Sequence, residues 1–538
     1  MASEGKTGFG ATAELIRDHD EIQPYGNVGL NDFGGGEGGL ATVNGNAVSI
    51  LPWDFRKDEE RDHRNEHNIL AYNTGDPERI LDADDMSKLY PGLGTEMEVN
   101  VVGSDGQPSN AQRAVARAAK MGEPLGYGVS PELWNFTIEI GTNQPAATPR
   151  EQREQIARAL ILMDDSLDRD QMLLPTSTLP GYDTDWHRDI TDHPYIRRMA
   201  GVILGRKNTE NFTAVGPQLH VETPSHLHGA RALMWSENPF MILKALAQSS
   251  PYDGTELHYD VRGRLANLPD NIPNDGKWVN LRDPQRKWGL GTGGVARHWP
   301  NFEAFVIPEE FDKFVNYRNR ETFPDRAFGG HTKRQRVTLG GAPTGTLEVP
   351  DFDSAGYRVE RLSAINEVAT YTVRAMMQLD PLDFEQQERL AEKYPAVFHP
   401  MRSDKDITRL VKIANRNEFR LARKGKNAGI AGSDYQIYNI GQALTQLYDF
   451  CQEMNGVIIN DAAKYELAQG LKEPARQNPV EHYYRTGQGT LTEAYRAEVD
   501  KIEFVSNDKN KLLAVNRLSA GALKSYIGRM RAGLEGRG

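Results

Sequence analysis

Several short segments of this chain alternate acidic and apolar side chains, and this pattern limits the folds open to it. In segment 95–102, Glu96 and Glu98 are separated by one apolar residue, which is the period of a β-strand. Residues two apart on a strand project from the same face. Three later segments near 134–140, 218–223 and 345–349 alternate in the same way and carry Glu139, His220, Glu222 and Glu348. If these strands are neighbours, the sequence predicts a sheet face lined by carboxylates and an imidazole.

Helical patterns lie between and after these segments. Residues 111–121 and 227–246 predict helices. Thr148-Pro149-Arg150-Glu151 is a capping box with proline at the first helical position, and it predicts a helix to about Asp165. From Ser354 onward the pattern is mostly helical, with long helices predicted near 354–379, 404–424, 436–454 and 508–533. Acidic strands interleaved with helices, followed by a helical C-terminal third, indicate an α+β fold.

The predicted acidic face favours a metal site. A cluster of like charges on one sheet face repels itself unless cations neutralise it. Hard carboxylate oxygens suit Mg²⁺ or Mn²⁺, and an imidazole among them favours Mn²⁺ slightly. The alternative is the ordinary solvated face of a surface sheet. The candidate metal ligands are Glu96, Glu98, Glu139, His220, Glu222 and Glu348.

Charge and apolar patterning disfavour several partners. The chain has 75 acidic and 63 basic residues, for a net charge of −12, and no basic block, so we expect no nucleic-acid partner. The longest apolar runs, such as 159–163, are far shorter than the roughly 20 residues of a membrane span. The single cysteine, Cys451, and the absence of a secretory pattern in 1–17 favour a cytoplasmic protein. We expect Cys451 to be a spare thiol, because no cationic residue adjoins it.

Seven short motifs, in order, resemble those of one family. They are Gly94-Thr95-Glu96-Met97-Glu98, Ile138-Glu139-Ile140-Gly141-Thr142, Leu219-His220-Val221, Ala247–Gly254, Arg262, Thr346-Leu347-Glu348-Val349 with Asp353, and Asn417–Gly425. They are similar to the G-x-E-x-E, I-E-x-x-T, L-H-V-H-V, A-x-S-P-F-x-x-G, S-x-R, T-L-E-V-R-x-x-D and N-x-W-R-A-A-R-Y-G motifs of the bacterial glutamate–cysteine ligase type 2 family. Members of this family are also called YbdK-like carboxylate–amine ligases.

This resemblance implies a fold and an activity. The fold would be a glutamine synthetase-like antiparallel sheet that forms an active-site funnel for ATP and Mg²⁺ or Mn²⁺, with helices on its outside and a helical C-terminal extension. The activity would join a glutamate-like carboxylate to an amine through an acyl phosphate, giving an amide of the γ-glutamyl type, ADP and phosphate. Arg262, Arg420 and Arg423 would face phosphate or substrate carboxylate. Glu96, Arg262 and Glu348 would be the catalytic residues, and a homo-oligomer is compatible with this class.

Two departures from the family motifs bear on the chemistry of the site. The second histidine of L-H-V-H-V is Glu222, and the arginine of T-L-E-V-R is Pro350. Arg358, Arg262 and Arg264 are candidates to replace that arginine. Two alternatives therefore stay open. One is a catalytically altered or inactive ligase-fold binding protein. The other is a metal-dependent hydrolase, suggested by the crowding of His220, Glu222, His226 and His228, although Pro224 interrupts that segment. For Arg420 and Arg423 a solvated helix face is the alternative to a ligand-binding role.

We expect four parts along the chain. Residues 1–50 contain the glycine-rich tract 34–39 and would form a flexible N-terminal segment, with a mobile active-site flap as the alternative. Residues 51–90 would be a charged helix and loop lead-in. Residues 91–430 would be the carboxylate–amine ligase catalytic domain, and residues 431–538 a helical C-terminal region.

Overall fold

The computed structural model describes part of the chain. The described residues are 40–43, 46–49, 92–199, 215–222, 232, 237–249, 251–253, 256–257, 334–339, 342–349, 352–379, 384–397, 411–415, 418–422, 435–502 and 508–535. They form an α+β structure, as the alternation of acidic strands and helices predicts. The glycine-rich tract 34–39 and residues 51–90 lie outside the described residues.

Fourteen strands are described. They are β1 (Leu40–Val43), β2 (Asn46–Ser49), β3 (Leu93–Gly103), β4 (Tyr127–Pro131), β5 (Thr137–Thr142), β6 (Gln171–Leu173), β7 (Pro217–Glu222), β8 (Tyr252–Asp253), β9 (Glu256–Leu257), β10 (Arg334–Leu339), β11 (Ala342–Val349), β12 (Val411–Asn415), β13 (Glu418–Ala422) and β14 (Tyr435–Asn439). β1–β2 and β8–β9 are two-stranded hairpins, and β12-β13-β14 form a three-stranded sheet.

Twelve α-helices are described. They are α1 (Gln112–Gly122), α2 (Pro149–Ser166), α3 (Trp186–Asp189), α4 (Pro194–Met199), α5 (Glu237–Ala247), α6 (Val359–Met377), α7 (Phe384–Lys393), α8 (Ile440–Asn455), α9 (Asp461–Gly470), α10 (Pro479–Thr486), α11 (Leu491–Lys501) and α12 (Asp508–Glu535). Each of the helices within the described ranges is too short or too polar to cross a membrane.

The other seven strands form the central sheet. Its order is β10-β11-β7-β3-β5-β4, and β6 pairs with the far end of β3. Every pairing in it is antiparallel. The long strand β3 lies in the middle and pairs with β5, β6 and β7, so it organises the sheet.

One face of the central sheet is apolar and carries the core. Met97, Val99 and Val101 of β3 are buried with apolar residues of α2, α6 and α12. At the other end of the sheet, apolar residues of β7 and β11 are buried against α5, α6 and α8. Removing this apolar surface from water is the main stabilising contribution. Because α8 and α12 take part, the helices after residue 439 share their core with the sheet.

The start of α2 follows the predicted capping pattern with one change. Thr148 Oγ1 accepts a hydrogen bond from Glu151 N at 3.2 Å, and Pro149 occupies the first turn. The Glu151 carboxylate accepts from Ala147 N at 2.8 Å, one residue before the cap. The helix predicted to end near Asp165 ends at Ser166, so this prediction is confirmed.

Other predicted helices change in type or extent. The helix predicted near 404–424 is wrong in its described part, because β12 and β13 occupy 411–415 and 418–422. Phe419 and Leu421 alternate with polar residues, which is a strand period that the helical interpretation overlooked. The helix predicted near 436–454 begins at Ile440, after β14. The helix predicted over 227–246 is described as α5 from Glu237.

Candidate active site

The register of the central sheet brings the predicted acidic residues to one face. Residues directly opposite each other in an antiparallel pair share a face. Glu98 lies opposite Glu139, and Glu96 lies opposite Gln218. His220 lies opposite both Gly94 and Glu348, and Glu222 lies two residues beyond it. All six candidate ligands therefore occupy register positions on the face opposite the apolar core, which we call the acidic face (Glu96, Glu98, Glu139, His220, Glu222 and Glu348).

Glu98 is held by neutral donors at both carboxylate oxygens. Gln218 Nε2 donates to Glu98 Oε1 at 2.6 Å, and Gly216 N donates to Glu98 Oε2 at 3.3 Å. The side chain is almost fully buried, with the residue 7% exposed. Hydrogen bonds of this kind fix the carboxylate without cancelling its charge.

Glu96 has a different neighbour, the imidazole of His220. His220 Nε2 lies 3.5 Å from Glu96 Oε1. Glycines make room for this pair on the adjoining strands. A Cβ at Gly94 would lie 3.1 Å from His220 Cβ, and one at Gly141 would lie 3.3 Å from Glu96 Cγ. The glycines of the first two motifs thus permit close approach of site side chains.

Glu132 joins this group although no sequence pattern selected it. It stands after β4, and the β4–β5 hairpin returns the chain beside it. Its Oε2 accepts from Leu133 N at 2.8 Å, and its carboxyl group interacts electrostatically with that of Glu139. Two buried carboxyl groups this close disfavour each other's charged form. Glu132 lies in a turn, so alternation could not reveal it. Its position in the short connection between β4 and β5, close to Glu139 in sequence, could have indicated it.

Burial and mutual repulsion raise the pKa values of this pair. Burial, with the carboxylate of Glu98 adding to it, raises the pKa of Glu132 to about 7. Burial and the neighbouring Glu132 raise the pKa of Glu139 well above its ordinary value. Ser130 Oγ donates to Glu139 Oε2 at 2.6 Å, which only partly offsets this. A cation at the acidic face would favour the charged forms of both carboxyl groups.

We predict that the metal-free protein becomes more stable as the pH falls from 8 to 5.5. A carboxyl group whose pKa is higher in the folded state than in the unfolded state binds more protons when folded. Its contribution is therefore lost as the pH rises through the folded-state value. Melting temperatures in EDTA at pH 5.5, 6.5 and 8.0 measure this, and Glu132→Gln should flatten the trend. A melting temperature that rises with pH over this range would contradict the pKa direction.

The donor set fits a hard divalent cation in chemistry, although the described side chains are not gathered around one point. Among the described residues, no three His, Cys, Asp or Glu side chains are placed so that they could hold one metal ion. The side chain of Glu348 lies outside what the structure describes. The fit rests on mutually repelling carboxylates and on His220 Nε2, a buried atom without a hydrogen bond to any described residue. Oxygen ligands with one imidazole suit Mg²⁺ or Mn²⁺.

A left-handed turn behind the acidic face connects it to the C-terminal helices. Ala355, Gly356 and Tyr357 have φ values of 47°, 61° and 53°, which for the two non-glycine residues is unfavourable. Tyr483 and Tyr484 of α10 donate to the carbonyls of Ala355 and Gly356 at 2.7 and 2.6 Å. The Tyr357 hydroxyl donates to the carbonyl of Glu98. The turn therefore anchors β3 at a site residue.

Two of the motifs serve this packing. Ser249 N donates to Asp353 Oδ2 at 3.1 Å, and the hydroxyls of Ser249 and Ser354 lie 2.6 Å apart. Ser177 Oγ completes the buried cluster by accepting from Ser354 N at 2.9 Å. The motif 247–254 is thus fastened to the segment that follows β11.

The structure changes the interpretation of several basic residues. Arg358 was a candidate to replace the arginine missing at position 350. Its Nε and Nη2 donate to the two carboxylate oxygens of Glu466 at 3.0 and 3.1 Å, and its Nη1 donates to Tyr484 O at 2.8 Å. Arg358 is therefore engaged in a buried ion pair, which makes it an unfavourable replacement for that arginine. Arg420 lies on β13 and not on a helix, which corrects the helix-face alternative for it.

Several predicted residues lie outside the described part of the chain. These are Arg262, Arg264, Pro350, Arg423, His226 and His228. Cys451 is buried in α8, and this burial raises the pKa of its thiol to about 12. A thiol in this state is a poor nucleophile, in line with the expected spare thiol.

The fold and the site define an α+β protein whose antiparallel sheet gathers carboxylates and an imidazole on one face. No protein-family model matches the chain, and no curated protein matches it. Among solved structures it is similar to a bifunctional glutathione synthetase from Pasteurella multocida, at 13% identity and a TM-score of 0.42, over 82% of this chain and 54% of that one. It is also similar to a glutamate–cysteine ligase from Francisella tularensis in complex with AMP, at 12% identity and a TM-score of 0.42, over 82% of this chain and 98% of that one.

The chain thus spans about half the length of the Pasteurella protein.

Proposed function

We propose that this chain is an ATP-dependent carboxylate–amine ligase that forms an amide, of the γ-glutamyl type, through an acyl phosphate. The observation that carries the proposal is the acidic face. Register places Glu96, Glu98, Glu139, His220 and Glu348 together on the side of the sheet away from the core. Glu132 adds a further carboxyl group beside Glu139. Buried acids on one sheet face, such as Glu96, Glu98 and Glu139 at no more than 9% exposed, are unfavourable for folding alone, which supports a function that uses their charge.

The proposed reaction has two balanced steps. A carboxylate oxygen of the first substrate attacks the γ-phosphorus of ATP, and the bond to the bridging oxygen breaks to release ADP. The amine nitrogen then attacks the acyl carbon, inorganic phosphate leaves, and the nitrogen loses a proton. Activation is needed because an oxide is a poor leaving group. The protein positions the reactants and neutralises charge on the transferring phosphoryl group.

Different residues of this chain would have different roles in the proposed reaction. Glu96, Glu98, Glu132, Glu139, His220, Glu222 and Glu348 would hold Mg²⁺ or Mn²⁺, which neutralises phosphate charge when bound. Glu98 is already fixed by Gln218 and Gly216 N, so it needs little rearrangement. Arg262, Arg420 and Arg423 would bind phosphate or substrate carboxylate. Glu96, Arg262 and Glu348 would act at the reacting atoms.

We predict that ATP binds only in the presence of a divalent cation. Carboxylates repel a bare triphosphate, and a bound cation reverses the local charge. Calorimetric titration of ATP with Mg²⁺, with Mn²⁺ and with EDTA measures this. ADP release should then be assayed over a panel of single amino acids and amines. Equal ATP affinity in EDTA would contradict the metal-dependent site.

A second candidate is a ligase-fold binding protein without turnover. Two observations favour it. The family arginine is replaced by Pro350, and the hydrogen bonds of Arg358 to Glu466 disfavour it as a replacement. Such a protein would bind ATP with Mg²⁺ and release no ADP with any amine in the panel. The hydrolase alternative stays untested, because His226 and His228 lie outside the described residues.

A further inference from the structure

Gln218 is a buried neighbour of two candidate metal ligands. It lies on β7 opposite Glu96, and it is 6% exposed. Its Nε2 donates to Glu98 Oε1 at 2.6 Å. An ionised carboxylate accepts hydrogen bonds only, so the nitrogen of the amide must face Glu98. This fixes the amide orientation and leaves Gln218 Oε1 buried without a hydrogen bond to any described residue.

Two donors at and just before the start of β7 therefore hydrogen-bond the Glu98 carboxylate. Gly216 N reaches the other carboxylate oxygen at 3.3 Å, two residues before Gln218. Both donors are neutral, so Glu98 keeps the whole of its charge while it loses rotational freedom. A lysine or arginine at position 218 would instead neutralise the carboxylate and compete with a cation. A glutamine at position 218 can thus orient the Glu98 carboxylate without neutralising it.

The unpaired oxygen of Gln218 supports the same conclusion. A buried acceptor without a donor is unfavourable, and a water molecule bound to the cation would supply that donor. An alternative in which Gln218 only packs the sheet would not need the amide, since an apolar side chain of similar length would bury more favourably.

We propose that Gln218 is a positioning residue, which orients Glu98 to bind a divalent cation at the acidic face. This inference rests on the proposed function, because it assumes that the acidic face binds such a cation. Hydrogen-bond partners of metal ligands typically contribute 10- to 100-fold to metal affinity. Gln218 should act through the affinity for the cation and through the orientation of Glu98, without contact to the reacting atoms.

The test uses Mn²⁺ as the probe and two variants of the full chain. Gln218→Met removes the donor at similar length, and Gln218→Asn keeps the amide but is one methylene too short to reach Glu98. We expect each to weaken Mn²⁺ binding by about 10- to 100-fold, measured from the electron paramagnetic resonance signal of free Mn²⁺. The Mn²⁺ concentration for half-maximal ADP release should rise similarly, while turnover at saturating Mn²⁺ falls less.

Gln152→Met is the matched control. Gln152 is also buried and also hydrogen-bonds a residue of β3, but on the apolar side, where its Nε2 donates to Thr95 Oγ1 at 2.8 Å. This variant should melt earlier and bind Mn²⁺ like the wild type. A loss of Mn²⁺ affinity as large as that of Gln218→Met would mean a general structural effect, and the positioning role would be wrong.

The outcomes separate the two proposals. If the wild-type chain does not bind Mn²⁺, the proposed metal-dependent function fails. If the wild type binds Mn²⁺ and the Gln218 variants bind it equally well, only the positioning role fails. If Gln218→Met loses the wild-type circular dichroism spectrum, Gln218→Asn decides by the same criterion.

Discussion

Replacing Glu96, Glu98 or Glu348 with glutamine should reduce ATP turnover by about 10²–10³-fold in each case. Each carboxylate is expected to hold a cation that neutralises the transferring phosphoryl group, and removal of one strong electrostatic stabiliser commonly has an effect of this size. Steady-state ADP release at saturating ATP and Mg²⁺ measures the change. The double and triple variants should be little worse than the single ones, because the three residues act as one unit.

The same three substitutions should not lower the stability of the metal-free protein. Glu96 and Glu98 both raise the pKa values of Glu132 and Glu139, so the loss of either charge relieves repulsion. The glutamine side chain at position 98 can still accept from Gln218. We therefore expect the melting temperature in EDTA to stay the same or to rise for all three variants.

Glu154→Gln is the control for these three variants. Glu154 lies on α2, and its half-exposed side chain pairs with Arg150 at the surface. The control should leave both turnover and melting temperature unchanged. Normal turnover in the three site variants, or much earlier melting, would show that these glutamates are structural, and the ligase proposal would fail.

The acidic face could be placed from sequence because alternation and register obey the same period. Glu96 and Glu98 identify a polar face of β3. When a partner strand buries its apolar residues on the other face of the sheet, its acidic residues lie on the same face as Glu96 and Glu98. The start of α2 was equally accessible, since Thr148 and Glu151 act locally. Both predictions depend on neighbours in sequence.

The remaining features depend on contacts between distant residues. Glu132 lies near Glu139 because β5 pairs with β4. Arg358 is held away from a ligand-binding role by its ion pair with Glu466, which is 108 residues further along the chain. No local pattern reports such a pairing. The segment 411–422 was predicted wrongly for a different reason. Its sequence has a strand period, but the helical patterns around it favoured the prediction of a helix.

The tyrosines of α10 show why the C-terminal helices matter to the site. The resemblance ends near residue 425, so the sequence left residues 431–538 without a role. In the structure, α10 holds the turn at 355–357, and Tyr357 of that turn contacts the backbone of Glu98. Residues far along the chain thus support the strand that carries two candidate ligands.

Replacing Glu466 with glutamine should lower the free energy of unfolding by about 3–5 kcal/mol. Glu466 accepts from Arg358, and its Oε1 also lies 3.3 Å from Nε of Arg361, whose side chain is fully buried. Removal of the carboxylate charge leaves the buried Arg361 guanidinium without a carboxylate partner among the described residues, and it leaves Arg358 only Glu360, at 3.5 Å. Urea unfolding followed by circular dichroism measures the change.

Glu453→Gln is the matched comparison. Glu453 also pairs with two cations, Arg389 at 2.7 Å and Lys393 at 2.6 Å, but both of these side chains are more than half exposed. Solvent screens such pairs, so the loss should be at most about 1 kcal/mol. Equal losses in the two variants would mean that burial does not distinguish the two clusters.

The same pair of variants tests whether Arg358 serves only the core. If the ion pair with Glu466 is structural, folded Glu466→Gln protein should bind ATP with Mg²⁺ as tightly as the wild type, below its own melting temperature. A fall in ATP affinity with the free energy of unfolding preserved would place Arg358 in the ligand site instead. The arginine missing at position 350 would then be compensated, and the binding protein without turnover would lose one of the two observations that favour it.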